Sequence, residues 1–243
     1  MKQKIRKGIL TYSALLFPLT FFFMSPYVII MSAADGIING SALFFGSLLL
    51  FSIIGSRLFC GWLCPGGAIQ EQAARSNNKA WNSLWKNRSK YIIWFLWLAF
   101  VVFLWMSNRP LAVNFFNMYG LDSHILIIYM AVVTLIYVFA LVTGKRGMCH
   151  SLCWMAPFMI IGEKCADFLH IPRFRLKAET QNCISCGRCN KQCPMSLDVA
   201  TMVQTSQMDS NECINCLECV DVCPKQVIGF GIKPKVAPTI SSK

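Results

Sequence analysis

Four apolar segments limit what this chain of 243 residues can fold into. They cover residues 11–31, 41–56, 91–106 and 124–142, and none contains Asp, Glu, Lys or Arg. A helix of about 20 apolar residues crosses the hydrocarbon core of a bilayer, so we expect four membrane-spanning helices. The second segment is short and is expected to continue to residue 59, while prolines predict a kink or an early end in the first.

The basic residues predict how these spans are oriented. Only 14% of the residues are charged, yet the net charge is +12, with 23 Lys and Arg. Four of these lie in residues 1–10, six in 55–90 and twelve from residue 144 onward, whereas Arg109 alone occupies the opposite side. Because basic residues accumulate on the cytoplasmic side, we predict a multi-pass protein of the cytoplasmic (inner) membrane with both termini in the cytoplasm. We therefore attribute the net positive charge to the orientation of the chain in a lipid bilayer, and not to nucleic-acid binding.

An internal repeat closes the second and fourth predicted spans. The sequence GSRLFCGWLC at 55–64 aligns with GKRGMCHSLC at 144–153, so the fold is expected to contain two two-span repeats, inverted or parallel. The repeated thiols are those of Cys60, Cys64, Cys149 and Cys153. Residues four apart share a helix face, so each pair can present two sulfurs together. The four could hold an additional iron–sulfur cluster, which we favour, or act as redox-active dithiols; packing and disulfides are the alternatives.

Two further side chains near this repeat are open to two interpretations each. His150 lies inside the second pair, where an imidazole could relay a proton or hydrogen-bond a quinone, or simply meet water at the interface. Cys165 is outside every cysteine pattern, and we expect a free buried thiol, with a spare ligand as the alternative.

The C-terminal region carries the most specific motif of the chain. The run C-x2-C-x2-C-x3-C-P occurs twice, 30 residues apart. This is the spacing of bacterial ferredoxins with two [4Fe-4S] clusters, in which the fourth cysteine of each run binds the other cluster. Zinc explains the x2-x2-x3-proline spacing poorly. We therefore assign one cluster to Cys183, Cys186, Cys189 and Cys223, and the other to Cys213, Cys216, Cys219 and Cys193.

These observations predict a mainly α protein in two parts. A four-helix transmembrane bundle with the two cysteine pairs is expected over residues 1–170, followed by a linker at 171–177. A small α+β ferredoxin-like domain is expected over 178–232, and a flexible tail over 233–243. So small a domain has little apolar core, so its clusters should contribute much of its stability.

Taken together, the chain resembles the NapH-type family of ferredoxin-type membrane proteins. The resemblance rests on the sequence CGWLCP at 60–65 and on the two C-terminal runs, and it covers nearly the whole chain. The second pair departs from the family pattern C-x3-C-P, because Trp154 follows its last cysteine and the proline comes at position 157.

The resemblance implies electron transfer between the quinone pool and a partner oxidoreductase, as a subunit of a quinol dehydrogenase-type complex. Quinone or quinol would be the substrate, and the partner a cytoplasmic or membrane-associated subunit with an iron–sulfur or flavin group. One alternative is a reductase for metal-centre assembly, similar to cytochrome-oxidase maturation polyferredoxins. Another is a redox-sensing membrane anchor.

Overall fold

The computed structural model describes residues 2–80, 86–109, 112–115 and 123–233 of the chain, and the fold there is mainly helical. The predicted 234–243 end of the tail lies outside the described residues. The α-helices are α1 (Lys2–Leu15), α2 (Phe17–Thr20), α3 (Pro26–Ala34), α4 (Gly40–Gly55), α5 (Leu58–Trp62), α6 (Pro65–Ala73), α7 (Lys86–Ser107), α8 (Ser123–Thr143), α9 (Gly147–Ser151), α10 (Met155–Phe168), α11 (Arg188–Gln192), α12 (Val199–Gln204) and α13 (Glu218–Val222). The strands are β1 (Ile37–Asn39), β2 (Ala112–Asn114), β3 (Arg173–Ala178) and β4 (Ile228–Lys233).

Two of the four predicted spans form helices long and apolar enough to cross a bilayer. They are Arg88–Ser107 in α7 and Leu126–Thr143 in α8, and few of their side chains are buried. The second predicted span corresponds to α4, an apolar helix of 16 residues. By length and composition, the described residues therefore support two of the four predicted spans, and the other two stay a prediction.

The first predicted span is not one continuous helix, and its prolines explain why. Helix α1 ends at Leu15, and α2, a 3-10 turn at Phe22–Met24 and α3 follow it. Pro18 lies in the first turn of α2, and Pro26 begins α3, where Ser25 accepts a hydrogen bond from the Val28 N–H. Proline lacks an N–H and is tolerated only in a first helical turn, so each one starts a new helix.

Two small sheets accompany the helices, one in the helical part and one in the ferredoxin-like domain. Strands β1 and β2 pair in parallel and connect the segment after α3 with the segment after α7. Strands β3 and β4 pair antiparallel, with Phe174 stacked on Phe230 at 5.2 Å between ring centroids. Most of the 171–177 segment expected to be a linker therefore belongs to the sheet of the ferredoxin-like domain.

Helices α4 and α10 form the closest packed pair in the helical part. Gly162 of α10 lies against α4 so closely that a Cβ there would overlap the Ser52 Oγ and come within 2.5 Å of the Leu49 carbonyl oxygen. A glycine in mid-helix is unfavourable on its own, but at this position the absence of a side chain allows the two helices to pack this closely.

We expect Gly162→Ala to lower the free energy of unfolding by about 2 kcal/mol, because the added methyl group forces the two helices apart. Gly46→Ala is the matched control, since no atom lies within 4 Å of the Cβ position there. It should raise the helix stability by up to about 1 kcal/mol. Thermal unfolding of the detergent-solubilised protein measures both, and equal midpoints for the two variants would contradict the packing described.

Candidate functional site

Both C-x3-C pairs have the same local structure. In each repeat a five-residue helix follows an arginine and carries the first cysteine: α5 follows Arg57 and contains Cys60, and α9 follows Arg146 and contains Cys149. The two arginines share a φ of −93°. The second cysteine of each pair comes just before the next helix, α6 or α10. The sequence repeat is thus also a repeat of backbone structure.

The four thiols of the two pairs converge between the repeats, and we call them the repeat quartet: Cys60, Cys64, Cys149 and Cys153. All four belong to or pack on the buried core. Burial raises the pKa of the Cys64 thiol far above its usual range, and its three neighbours in the quartet raise it further. The Cys60 sulfur lies 3.4 Å from the Met159 sulfur, and the Gln70 side-chain N–H donates to the Cys149 sulfur at 3.3 Å.

The donor set of the repeat quartet fits a thiolate-bound cluster. Burial raises the pKa of Cys153 to about 12, so a thiol there keeps its proton unless a metal replaces it. The N–H groups of Gly67 and Ala156 face the sulfurs of Cys64 and Cys153, which favours thiolates. The Arg57 side chain is buried beside Cys60, and its Nε has no hydrogen-bond partner among the described residues.

An apolar cavity of about 340 Å³ borders the repeat quartet. Three of the sulfur-bearing residues line it, together with Gln70 as one of its few polar side chains. The remaining wall comes from α2, α3, α6, α7, α8, α9 and α10 and from residues that flank them, and it includes Phe17, Phe21, Ile30, Trp97, Val132 and Trp154. The cavity volume falls in the range of small-molecule pockets, and its lining suits a largely apolar ring compound.

The eight cysteines of the ferredoxin-like domain line two separate small cavities. Cys193, Cys213, Cys216 and Cys219, which we call the proximal quartet, line one. Cys183, Cys186, Cys189 and Cys223, the distal quartet, line the other. The two groups have the same members as the two sets predicted from the cysteine runs, and their role as cluster ligands stays a prediction. Among the described residues, no three His, Cys, Asp or Glu side chains converge tightly enough to hold a single metal ion.

The two cysteine runs also share their backbone shape. Ser185 and Asn215 both have a φ of 50°, and Gly187 and Leu217 have φ values of 68° and 62°. These left-handed positions occur at the same distance from the first cysteine of each run, and they wind each loop around its own cavity. Such loops fit a thiolate-held cluster in each cavity.

The proximal quartet lies directly against the repeat quartet. A Cβ on Gly61, next to Cys60, would collide with the Ile214 carbonyl oxygen and come within 3.4 Å of the Cys216 Cα. Close by, the Trp62 indole donates to the Asn215 carbonyl at 3.1 Å. Glycine at position 61 therefore permits the backbone of one cysteine site to touch the backbone of the next.

Buried ion pairs hold this junction together on one side. Arg6 of α1 is fully buried and donates to Glu71 at 2.9 Å, to Glu218 at 2.8 Å and to the Gly61 carbonyl at 3.0 Å. Glu71 also accepts from Arg146 at 2.7 Å. Although burial opposes ionisation, the two arginines hold the pKa of Glu71 below its usual value. One carboxylate thus links α1, α6, the second repeat and, through Arg6, the ferredoxin-like domain.

Glu212 has the same role on the other side of the junction. It precedes Cys213, accepts from the Lys90 Nζ at 2.7 Å, and lies 3.6 Å from the Arg57 guanidinium. His150 joins this cluster: its Nδ1 lies 3.5 Å from Glu212 and its Nε2 lies 3.0 Å from the Met195 carbonyl oxygen. Burial lowers the pKa of His150 to about 4.

The placement of His150 and Cys165 differs from the sequence interpretation. His150 is 2% exposed, faces the ferredoxin-like domain and is not among the described residues that line the apolar cavity. It therefore contacts neither bulk water nor that cavity. Cys165 is exposed rather than buried. The residues that sequence reasoning missed are Gln70, Glu71 and Glu212. Only Glu212 had a signal, because it directly precedes the first cysteine of a run.

Comparisons with known proteins agree with this arrangement of cysteines. A family model for a 4Fe-4S binding domain matches residues 40–82, which contain the first C-x3-C pair, and one for a 4Fe-4S dicluster domain matches residues 175–224. No solved structure matches the chain.

Several relatives match over most of the chain. The protein YccM of Escherichia coli, which is named for electron transport, is 24% identical to this chain over 73% of its residues. This chain spans about half (52%) of the length of that relative. The ferredoxin-type protein NapH of Haemophilus influenzae is 24% identical over 76% of this chain and 66% of its own length. NapH of Escherichia coli is 24% identical over 88% and 76%. The resemblance read from the cysteine motifs is confirmed.

We expect Glu212→Gln to loosen the junction and lower the free energy of unfolding by about 3 kcal/mol, because Lys90 and Arg57 stay buried without their counter-charge. Thermal unfolding and the rate of tryptic cleavage between the two parts measure this effect. Asp221→Asn, at an exposed acid of the same domain, is the control and should change neither. Equal unfolding midpoints and equal cleavage rates in the two variants would contradict the role of Glu212 at the junction.

Proposed function

We propose that the chain, which is similar to NapH-type ferredoxin-type proteins, passes electrons between a membrane quinone and a partner oxidoreductase. The single observation that supports this most is the apolar cavity against the repeat quartet. A quinone ring bound there would contact Cys64, Cys149 and Cys153 on one side and apolar side chains on the other. The quartet in turn touches the proximal quartet through Gly61.

We propose that three quartets of thiolates hold [4Fe-4S] clusters. The proximal and distal quartets correspond to the dicluster domain, and the match of a 4Fe-4S binding domain to residues 40–82 supports the repeat quartet as a third. Clusters bound there would supply one-electron carriers of tunable potential. The chain's own contribution is to hold twelve sulfurs in three adjoining groups and to exclude water from the innermost.

Charge balance supports a cluster at the repeat quartet. Four thiolates at one buried place repel each other, and a cluster with four thiolates carries net negative charge. Arg57 and Arg146 are each 1% exposed and lie beside these sulfurs, Arg57 near Cys60 and Arg146 near Cys149. Two fixed cations at equivalent positions of the repeat are placed to compensate that charge.

We further propose that the helical part lies in the cytoplasmic membrane as a four-span bundle with both termini in the cytoplasm. The exposed faces of α7 and α8 are apolar, as shown by Phe95, Phe103 and Leu126, which are each more than 60% exposed. Because water would be a poor solvent for such a surface, a bilayer is its natural surrounding. The excess of basic residues supports the orientation.

Iron content tests the third cluster. The purified protein is expected to contain about twelve irons per chain, and Cys64→Ser should lower this number by about four while the signals of the other two clusters remain. Cys165→Ser is the matched control, because Cys165 belongs to none of the three quartets, and it should leave the iron content unchanged. A wild-type content of eight irons would refute the third cluster, and a different metal at this position would favour a role in metal-centre assembly.

The quinone step is tested by filling the cavity. Val132→Trp in α8 places a large ring in the cavity and should reduce the rate at which a quinol analogue reduces the protein by at least tenfold, while dithionite still reduces all clusters. Val138→Trp, on an exposed face of the same helix, is the control and should keep the wild-type rate. An unaffected quinol rate in Val132→Trp, or no quinol reactivity in the wild type, would refute the quinone site.

A further inference from the structure

The two cysteine runs present equivalent surfaces, of which one is covered and the other is not. In the second run, Ile214 is 1% exposed and Cys216 is 8% exposed, because the helical part of this chain packs on both. At the equivalent positions of the first run, Ile184 is 57% exposed and Cys186 is exposed. The two loops share their backbone shape. The difference in exposure therefore comes from their side chains and from what packs on each loop, and not from the local backbone.

The covered surface shows what such a loop binds. Gly61 lies on the Ile214–Cys216 backbone, and the Gln3 side-chain N–H donates to the Cys216 carbonyl at 2.9 Å. At the edge of the contact, Glu218 pairs with Arg6 at 2.8 Å. The contact therefore consists of an apolar centre, hydrogen bonds to loop carbonyls, and the ion pairs of Glu218 with Arg6 and Lys7.

The charge of the uncovered surface is reversed. Arg188 occupies the position in the first run that Glu218 occupies in the second, and Lys191 stands where Asp221 stands. Arg188 and Lys225 line the distal cavity, where no described lining residue is acidic. Neither makes an ion pair with another described residue at the surface, so both are available to an external carboxylate.

We propose that the surface formed by Ile184, Cys186, Arg188 and Lys225 docks a redox protein with an acidic face. It rests on the proposed function, because it assumes an external redox partner, and it defines where and by which chemistry that partner binds. Of the three quartets, only the distal one has an exposed cysteine, Cys186, so a redox partner comes nearest to a thiolate site here. The apolar Ile184 would provide the centre of the contact and the two cations its rim.

Binding of an acidic [2Fe-2S] ferredoxin as the probe tests this surface without any quinone step. Isothermal titration calorimetry of the full, cluster-containing protein in detergent at low ionic strength should give a dissociation constant that rises with salt. Ile184→Asp and Arg188→Glu are each expected to weaken binding at least tenfold. The controls are Ile232→Asp, which replaces an equally exposed isoleucine (55%), and Lys164→Glu, an exposed lysine on α10; both should bind within about twofold of wild type.

Unchanged iron content in the two test variants shows that their domain is folded and loaded. Equal losses in test and control variants would overturn the proposal, because they would indicate non-specific charge effects. Loss of a dimer of this chain in Ile184→Asp, measured by analytical ultracentrifugation, without loss of ferredoxin binding, would also overturn it and assign the surface to a second copy. Because no quinone is present, a failure of the quinone site leaves this result independent.

Discussion

The buried ion pairs at the junction are the contact on which the relative position of all three cysteine sites depends. Arg6, Glu71 and Arg146 connect α1, α6 and the second repeat, and Arg6 continues to Glu218 in the ferredoxin-like domain. Both arginines are buried, and Arg6 and Glu71 each have two partners of opposite charge, so removing one group leaves a buried charge without its partner. Such a junction tolerates little sliding. It keeps the Gly61 backbone on the loop of Cys216, and the repeat and proximal quartets in contact.

The chain contains two internal repeats, and in each the two copies share their backbone structure but differ in the residues that contact them. The C-x3-C repeats are alike in backbone and in their arginines, yet Arg146 is paired by Glu71 whereas Arg57 meets Glu212 of the ferredoxin-like domain. The two cysteine runs are alike in backbone, yet one is covered and the other exposed. The two faces of the ferredoxin-like domain therefore share their local structure and differ in charge: the inner face packs on the helical part, and the outer face is exposed among the described residues.

Much of the site was predictable because cysteine spacing is a short-range property. The grouping of eight cysteines into two sets follows from the motif C-x2-C-x2-C-x3-C-P, in which the fourth cysteine belongs with the other run, and the C-x3-C repeat is visible by alignment. The first predicted span shows the limit: composition identified an apolar segment, but Pro18 and Pro26 divide it into separate short helices. His150 shows another limit, because its neighbours in sequence are the thiols of Cys149 and Cys153 while its neighbours in space are Glu212 and Met195.

The sequence by itself determined the residue types and the local geometry: which thiols occur in groups, which segments are apolar, and where prolines interrupt helices. These are set by covalent spacing and by the backbone of single turns. Only the tertiary structure decided that the two C-x3-C pairs converge, that Gln70 and the apolar wall of α7 and α8 meet there, and that Gly61 contacts Ile214. Those contacts join residues far apart in the chain, and they depend on packing and on buried charge pairs that no short pattern encodes.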